Sequence, residues 1–222
     1  MLLAVDTSTR WIGLALYDEA AVISERIWQT RDHHTIELAG AVERLLADNR
    51  VKPTDLKAVA VATGPGSFTS LRIGLALVKG LAFSLKIPLL GVPSLDILTA
   101  AIPAGDYPLL AVLQAGRGRL AVVGYKSGVN GWQSTGPPAI CDIQGLFDMM
   151  KGLTMVAGEL NAEQRHLLSD RRKHILLASP AACVRRPSYL AELAWKRHMA
   201  GEQDDPLSLA PVYVHIAESI PD

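Results

Sequence analysis

The sequence contains little cysteine and no excess of charge of either sign. Two of its 222 residues are cysteines, Cys141 and Cys183, which is too few for a disulfide framework, and their spacing matches no zinc motif. Lysine and arginine together number 22, as do aspartate and glutamate, so the formal net charge is zero. A protein that grips nucleic acid by itself usually carries a basic patch. The local basic clusters, at residues 171–173 and at Arg185 and Arg186, are typical of solvated surface. We therefore expect no tight nucleic-acid binding by this chain alone.

The sequence also lacks a long hydrophobic run. Hydrophobic residues make up 49% of the chain, yet no uninterrupted apolar stretch reaches membrane length. The first residues lack the basic start and the cleavage site of a signal peptide. We expect a globular protein of the reducing cytoplasm, long enough for one large domain or two small lobes.

A glycine-rich loop between an apolar strand and an apolar helix is the centre of the sequence. Residues 58–62 form a short, partly β-branched run, typical of a buried parallel strand. Gly64, Pro65 and Gly66 end that strand, and Ser67 or Thr69 can cap the following helix. Such a loop could hold an anion at the helix N-terminus, but it lacks the Lys-Ser/Thr ending of a Walker loop.

The helix predicted at residues 71–83 is apolar on nearly every side. Arg72 and Lys79 are its only charged residues, and they share one face. One apolar face can cover the sheet of the same domain, while small residues at Gly74, Ala76 and Gly80 would let another helix approach the other. The pattern leaves two interpretations open: the core helix of a monomer, or a helix half buried by its own fold and half by a partner.

The central segment resembles a known family. Gly-Pro-Gly-Ser-Phe-Thr-Ser-Leu-Arg-Ile-Gly, at residues 64–74, resembles the hallmark of the TsaB family, bacterial subunits of the machinery that makes threonylcarbamoyladenosine on tRNA. The match departs from the usual form at Ser70, where glycine is more common. The closing Pro211-Val212-Tyr213 resembles the terminal Pro-x-Tyr segment of the same family.

The start of the chain predicts the fold. Strands at residues 2–5, 11–17 and 21–28, with a polar turn after the first, match the opening of the actin-like and sugar-kinase-like ATPase fold. In that fold the first hairpin wraps phosphate, its acidic residue acts through magnesium and its hydroxyls line the phosphate. Asp6, Thr7, Ser8 and Thr9 are therefore candidate nucleotide-binding residues, although the same residue types also serve as ordinary turn residues.

The spacing of apolar residues at 35–49 predicts an amphipathic helix. In an actin-like lobe this helix and the one at 71–83 form a pair on the outer side, with more apolar surface than one sheet can cover. We therefore predict that a second copy or a paralogue packs on the pair. The predicted interface residues are Leu38, Val42, Leu45, Leu71, Gly74, Leu75, Ala76 and Val78.

Metal binding is not expected from this sequence. His33 and Glu37 are four residues apart and could share a face as ligands, but exposed residues at a helix entrance are the favoured interpretation. In TsaD, the paralogous catalytic family, a Gly-Val-x-His-x-x-x-His motif supplies two metal ligands one helical turn apart. Here Ser94 and Leu98 stand at the two histidine positions. The resemblance therefore argues against a metal-dependent transferase or peptidase site.

A second lobe is predicted after the Pro- and Gly-rich linker at residues 102–108. Strands near residues 109–113, 120–125 and 132 repeat the opening pattern, so we predict a duplicated actin-like (ribonuclease H-like) α/β fold with an N-terminal lobe at 1–103 and a smaller C-terminal lobe at 104–222. Gln114 stands where kinases of this superfamily place an aspartate, and it cannot act as a general base or hold magnesium as a carboxylate can.

The family resemblance implies a function without catalysis by this chain. It implies pairing with a TsaD-type paralogue through the first-lobe helices, a TsaE-type ATPase as a further partner, and threonylcarbamoyl transfer to N6 of adenosine 37 of tRNA. It implies no membrane, tRNA contact only through the complex, no cofactor of its own beyond weak ATP or ADP binding with the complex, and a homodimer when alone. The alternatives are an autonomous ATP-binding phosphotransferase and a glycoprotease-like metallopeptidase of the same superfamily.

Overall fold

The computed structural model describes residues 1–30, 34–129, 131–170 and 173–214, which divide into two compact units. The first lobe is Met1–Ala101 with Arg185–Val212, and the second lobe is Ile102–Val184 with the described residues after Val212. The boundary between the two lobes was predicted after residue 103 and is observed after residue 101, two residues earlier. Assigning everything from 104 onward to the second lobe was wrong, because the chain returns to the first lobe at Arg185.

A five-stranded mixed sheet forms the centre of the first lobe. Its order is β3-β2-β1-β4-β5; β1, β2 and β3 are antiparallel neighbours, while β1, β4 and β5 are parallel. The three parallel strands are buried along their whole length, as expected for strands covered on both faces. The strands are β1 (Leu2–Asp6), β2 (Trp11–Tyr17), β3 (Val22–Gln29), β4 (Ala58–Ala62) and β5 (Leu89–Val92).

Helices cover this sheet on both sides. Alternate strand residues such as Leu3, Val5 and Val59 pack with α1 (His34–Asp48) and α2 (Phe68–Leu85). The opposite face is rich in alanine and packs with α3 (Ser94–Ala100) and α6 (Pro187–Met199). Because alanine side chains are short, α6 can lie close to the sheet. The alanines of this sheet face are Ala4, Ala15, Ala58, Ala60 and Ala62, and α6 contributes Ala191 and Ala194 to the same cluster.

The return of the chain to the first lobe is fixed by polar contacts as well as by packing. Glu25 on β3 accepts hydrogen bonds from Arg186 Nη2 at 2.6 Å and from the Ser188 amide at 2.9 Å. At the other end of α6, Arg197 Nη1 donates to the Gly91 carbonyl at 2.7 Å and to Asp204 at 3.1 Å. Periodicity predicts the helix at 188–200 but does not say which sheet it covers, which is why its lobe was misassigned.

The second lobe repeats the sheet order of the first. Its path is β8-β7-β6-β10-β11, compared with β3-β2-β1-β4-β5 in the first lobe. The strands β6, β7, β8, β10 and β11 thus occupy the positions of β1, β2, β3, β4 and β5, and β9 is an added partner of β7. This repeat confirms the duplicated actin-like fold. The elements are β6 (Leu109–Gln114), β7 (Leu120–Gly128), β8 (Gly131–Ser134), β9 (Ala139–Cys141), α4 (Ile143–Asp148), β10 (Thr154–Gly158), α5 (Ala162–Ser169) and β11 (Ile175–Leu177).

α2 is the one helix of the described residues that is long and apolar enough to cross a membrane, judged by length and composition alone. The same helix packs on β4 and β1 through six buried residues. The packing of this face on the sheet therefore explains part of the apolar composition of α2. The buried residues are Ser70, Leu71, Gly74, Leu75, Val78 and Ala82.

Candidate functional site

The predicted phosphate loop lies at the end of β1 and is closed to solvent. Asp6, Thr7, Ser8 and Thr9 are all buried, with at most 6% of any of them exposed. Asp6 Oδ1 accepts hydrogen bonds from the Ser8 amide at 2.8 Å and from Ser8 Oγ at 2.6 Å. The loop is therefore an Asx-type turn whose hydroxyl bonds back to its own carboxylate.

A buried ion pair occupies the other oxygen of the same carboxylate. Arg185 Nε lies 2.9 Å from Asp6 Oδ2, and both side chains are 3% exposed. Arg185 Nη2 also donates to Thr9 Oγ1 at 2.9 Å. The expectation that Arg185 belongs to a solvated basic cluster was wrong. The neighbouring Arg186 is the exposed member, since its side chain is 53% exposed.

Ser94, at one of the two positions where the paralogous motif has histidine, joins this network. Its Oγ lies 2.6 Å from Ser8 Oγ and accepts from the Gly64 amide at 3.1 Å. Leu98, at the second position, is fully buried in the core. The α3 terminus thus ties the first hairpin to the glycine loop and presents apolar packing where a metal ligand would be needed.

The glycine loop and α2 approach the first hairpin closely. The Ser67 amide donates to the Ser8 carbonyl at 2.6 Å, and Thr7 Oγ1 donates to the Ser70 carbonyl at 2.7 Å. A Cβ on Gly66 would collide with the Ser8 carbonyl oxygen, so this position needs glycine. The hallmark segment therefore serves to bring the N-terminus of α2 against the end of β1.

The end of β6 is the second-lobe counterpart of the end of β1, and it too is bonded internally. Gln114 Nε2 donates to the Glu159 carbonyl at 3.1 Å and to Gln164 Oε1 at 2.7 Å. Gln164 is buried at the start of α5 and makes a reciprocal N-cap interaction with Asn161. Gln114 therefore acts as a hydrogen-bond donor here, a role that an ionised aspartate could not fill.

The candidate metal ligands are only partly described. His33 lies outside the described residues. Glu37 accepts hydrogen bonds from Trp28 Nε1 at 2.7 Å and from Thr30 Oγ1 at 2.8 Å, so its carboxylate supports the β3–α1 connection. Within residues 1–30, 34–129, 131–170 and 173–214, no group of three or more His, Cys, Asp or Glu side chains is placed to hold a metal ion.

Most of the residues predicted to contact a partner protein are buried within their own lobe. Six of the predicted contact side chains are at most 6% exposed, and five of them, all but Leu71, belong to the core cluster that α1 and α2 form with the sheet of their own lobe. Gly74 is interior as well, because a Cβ there would collide with Thr7 Oγ1. Of the eight predicted residues, Ala76 alone is exposed. The six side chains are Leu38, Val42, Leu45, Leu71, Leu75 and Val78.

The outer face of α2 carries apolar residues that sequence reasoning did not select. Phe83 is 84% exposed and Phe68 is 51% exposed, and Ile36 on α1 is 79% exposed. Phe83 also borders an open groove of about 710 Å³ that is lined by Lys86, Pro88 and Gln203 among others. The signal was present, since a helix that is apolar all round must expose apolar residues opposite its core face. Where a partner binds stays a prediction.

Comparison with known proteins places these features in a family. The family model described as "TsaD: tRNA N6-adenosine threonylcarbamoyltransferase" matches residues 22–174. The tRNA threonylcarbamoyladenosine biosynthesis protein TsaB of Bacillus subtilis (strain 168) is 32% identical over 224 residues, covering 98% of this chain and 95% of the relative. The protein of the same name from Escherichia coli (strain K12) is 30% identical over 69% of this chain and 67% of its own length.

Two solved structures share the fold over nearly the whole chain. The crystal structure of an uncharacterized protein with similarity to peptidase YEAZ, from Pseudomonas aeruginosa, superposes with a TM-score of 0.80 at 25% identity. It covers 96% of this chain and 99% of that one. YeaZ from Pseudomonas aeruginosa superposes with a TM-score of 0.78, also at 25% identity and with the same coverage.

Proposed function

This chain belongs to the TsaB family of tRNA threonylcarbamoyladenosine biosynthesis proteins, and from that premise we propose that it is a non-catalytic subunit that binds and orients a TsaD-type paralogue. The partner would hold the metal and transfer the threonylcarbamoyl group to N6 of adenosine in tRNA. A TsaE-type ATPase would join the pair, and tRNA would contact this chain only through the complex, in the cytoplasm.

The exposed apolar face of α2 is the observation that carries this proposal. Phe68, Ala76, Gly80 and Phe83 recur at intervals of three to eight residues, which puts them on one side of the helix. That side is opposite the buried residues that cover the sheet. A face of this composition on a soluble lobe is typical of a surface that another protein covers.

The same face has the shape that helix packing requires. Ala76 and Gly80 are small and exposed, and a Cβ at Gly80 would meet nothing within 4 Å, so a partner helix can approach the backbone there. Phe68 and Phe83 flank them, and burying a phenylalanine side chain contributes about 1.5–3 kcal/mol. Arg72 stacks on the Phe68 ring at 3.6 Å from its centroid, which holds the ring in place.

The internal contacts of the first hairpin and of Gln114 disfavour the two alternative functions, a phosphotransferase and a metallopeptidase. An autonomous phosphotransferase would need accessible carboxylates, whereas Asp6 is buried against Arg185 and Gln114 replaces the second. A metallopeptidase would need ligands at Ser94 and Leu98, which are bonded within the loop network and buried in the core, respectively. These contacts support a scaffold role for the chain.

Mixing the purified chain with a TsaD-type protein tests the proposal, with mass measured by light scattering and affinity by calorimetry. We expect a stable heterodimer. Ala76→Arg should leave the chain folded but weaken pairing at least tenfold, because it places a charge at a desolvated helix contact. Phe83→Ala should weaken it by a similar factor.

Two matched variants serve as controls. Ala200→Arg places the same charge on an exposed alanine after α6, and Leu207→Ala removes another apolar side chain, 93% exposed in a loop. Both should pair like the wild type. Undiminished pairing by Ala76→Arg and Phe83→Ala would place the interface elsewhere, and absence of any pairing by the wild type would remove the scaffold role. A dilution series of the chain alone tests for the homodimer through the same face.

A further inference from the structure

The actin-like fold implies a magnesium–nucleotide group at the first hairpin, so the residues there can be tested for their fit to it. Asp6 would have to act through the cation, and the hydroxyls of Thr7, Ser8 and Thr9 would have to line phosphate. Each of these groups already has a partner within the lobe: Ser8 and Arg185 for Asp6, Ser70 for Thr7, Ser94 for Ser8, and Arg185 for Thr9. The residues do not fit a bound magnesium–phosphate group.

We propose that Arg185 is a built-in counter-ion that takes over the role of the cation at Asp6 and converts the phosphate hairpin into a fixed support for α2. The proposal concerns this chain alone and does not rest on the partner proposed above. It assigns a role to a side chain that lies 179 positions from Asp6 in the sequence.

The charge balance of the site favours this role for an arginine. A carboxylate that is 3% exposed needs a compensating positive charge, because an unpaired buried charge is strongly unfavourable. The guanidinium is planar and always charged, and here it donates to Asp6 Oδ2 and Thr9 Oγ1 at 2.9 Å each. A magnesium ion needs oxygen ligands at about 2.0–2.1 Å in an octahedron, and would compete for the same carboxylate.

The neutralised hairpin makes direct contacts with α2. The Ser8 carbonyl accepts from the Ser67 amide at 2.6 Å, and Thr7 Oγ1 donates to the Ser70 carbonyl at 2.7 Å. These bonds hold the first turn of the helix whose outer face is exposed. Arg185 is therefore a positioning residue: it acts on α2 through Asp6 and the hairpin.

The test compares Arg185→Ala with Arg186→Ala, a neighbouring arginine whose ion pair with Glu25 is largely exposed on the arginine side. Arg185→Ala should lower the unfolding midpoint by at least about 6 °C, as expected for a broken buried pair in a chain of this size. Arg186→Ala should lower it much less. Millimolar methylguanidinium should raise the midpoint of Arg185→Ala and leave that of Arg186→Ala unchanged, because only the first leaves a guanidinium-shaped space beside a buried carboxylate.

A second variant keeps the test decisive if Arg185→Ala does not fold. Arg185→Met combined with Asp6→Asn removes both charges, so the double variant should fold better than Arg185→Met alone. Magnesium–ATP binding by the wild type, measured by equilibrium dialysis, should show no saturable component. Saturable binding that Asp6→Asn abolishes would overturn the proposal, as would equal midpoints for the two alanine variants or a double variant no better folded than Arg185→Met.

Discussion

Thr7 Oγ1 lies so close to Gly74 that a Cβ added to the glycine would collide with it. The hydroxyl donates to the Ser70 carbonyl one turn earlier in α2, so the Thr7 side chain packs directly on the backbone of the helix at Gly74. This contact explains why the hallmark segment ends in glycine. It also shows that Gly74 belongs to the interior of the lobe, so the predicted contact with a partner through Gly74 is replaced by a contact with the chain's own hairpin.

Gly74→Ala and Gly80→Ala should change stability in opposite directions. Both glycines lie inside α2, where alanine is favoured by about 0.8–1.0 kcal/mol on propensity alone. At Gly80 nothing lies within 4 Å of the added Cβ, so that gain should be observed. At Gly74 the methyl group forces Thr7 to move, and overpacking typically costs about 1–3 kcal/mol.

Urea unfolding of the two variants and the wild type measures the difference. If Gly74→Ala is as stable as Gly80→Ala, then Thr7 can rotate away without loss, and its bond to Ser70 does not fix the helix. Combining Gly74→Ala with Thr7→Ala checks the assignment, since removing the hydroxyl should recover part of the loss.

The centre of the sequence was predictable because its signals are local. The run at 58–62 is observed as β4 (Ala58–Ala62), since buried parallel strands are continuous apolar segments. α2 begins after Ser67, one of the two predicted caps, but the Ser67 hydroxyl accepts from Ser70 Oγ at 2.9 Å and does not bond a free amide of the helix. The hydroxyl at position 70, unusual for the family, thus has a local structural partner.

The candidate site was less predictable because its decisive contacts are not local. Arg185 and Arg186 are adjacent and chemically alike, yet one is buried against Asp6 and the other is exposed beside Glu25. Both belong to the segment that returns to the first lobe, and only their contacts in the folded lobe distinguish them. Periodicity likewise identifies which residues of a helix are buried, but a sheet of the same lobe and a partner protein give the same pattern. That is why seven of the eight predicted interface residues, all but Ala76, lie in the interior of their own lobe.

The contact of Glu25 with the start of α6 should make stability depend on pH. Burial alone would raise the pKa of Glu25, but hydrogen bonds from Arg186 and Ser188 outweigh it and lower the pKa below its ordinary value. The folded state therefore gains stability from this carboxylate above the unfolded pKa of about 4.3, and loses it as the pH falls through the lower folded value. Glu25→Gln should be destabilised at pH 7, because it loses the charge that these hydrogen bonds stabilise. The loss should be only about 1 kcal/mol, because solvent screens the half-exposed arginine.

Unfolding free energies of wild type and Glu25→Gln between pH 7 and pH 3 measure this effect. The difference should be constant near neutrality and shrink at the acidic end. Glu19→Gln, in the exposed turn between β2 and β3, serves as the control and should follow the wild type. A difference that is unchanged at pH 3 would mean that Glu25 acts through packing and not through its charge.

Gln114→Asp introduces the aspartate that kinases of this superfamily carry at this position, and tests whether the second lobe tolerates it. The glutamine amide donates to the Glu159 carbonyl and to Gln164 Oε1, and an ionised aspartate would face both as a third acceptor. We expect a loss of about 1–3 kcal/mol at pH 7, because buried acceptors lose their donor. Protonation lets the new carboxyl donate again, so the loss should diminish as the pH falls and the pKa of the introduced group should be raised.

The measurements are unfolding free energy against pH and ATP hydrolysis by the purified variant. Gln133→Asp, on the exposed part of β8, is the matched control and should be nearly neutral. No ATP turnover should appear in Gln114→Asp, because Asp6 remains paired with Arg185 in the first lobe. Turnover that appears with Gln114→Asp and disappears when Asp6→Asn is added would show that these residues still serve nucleotide chemistry. In that case the chain would be a phosphotransferase inactivated by one substitution, and both the scaffold role and the counter-ion role of Arg185 would be lost.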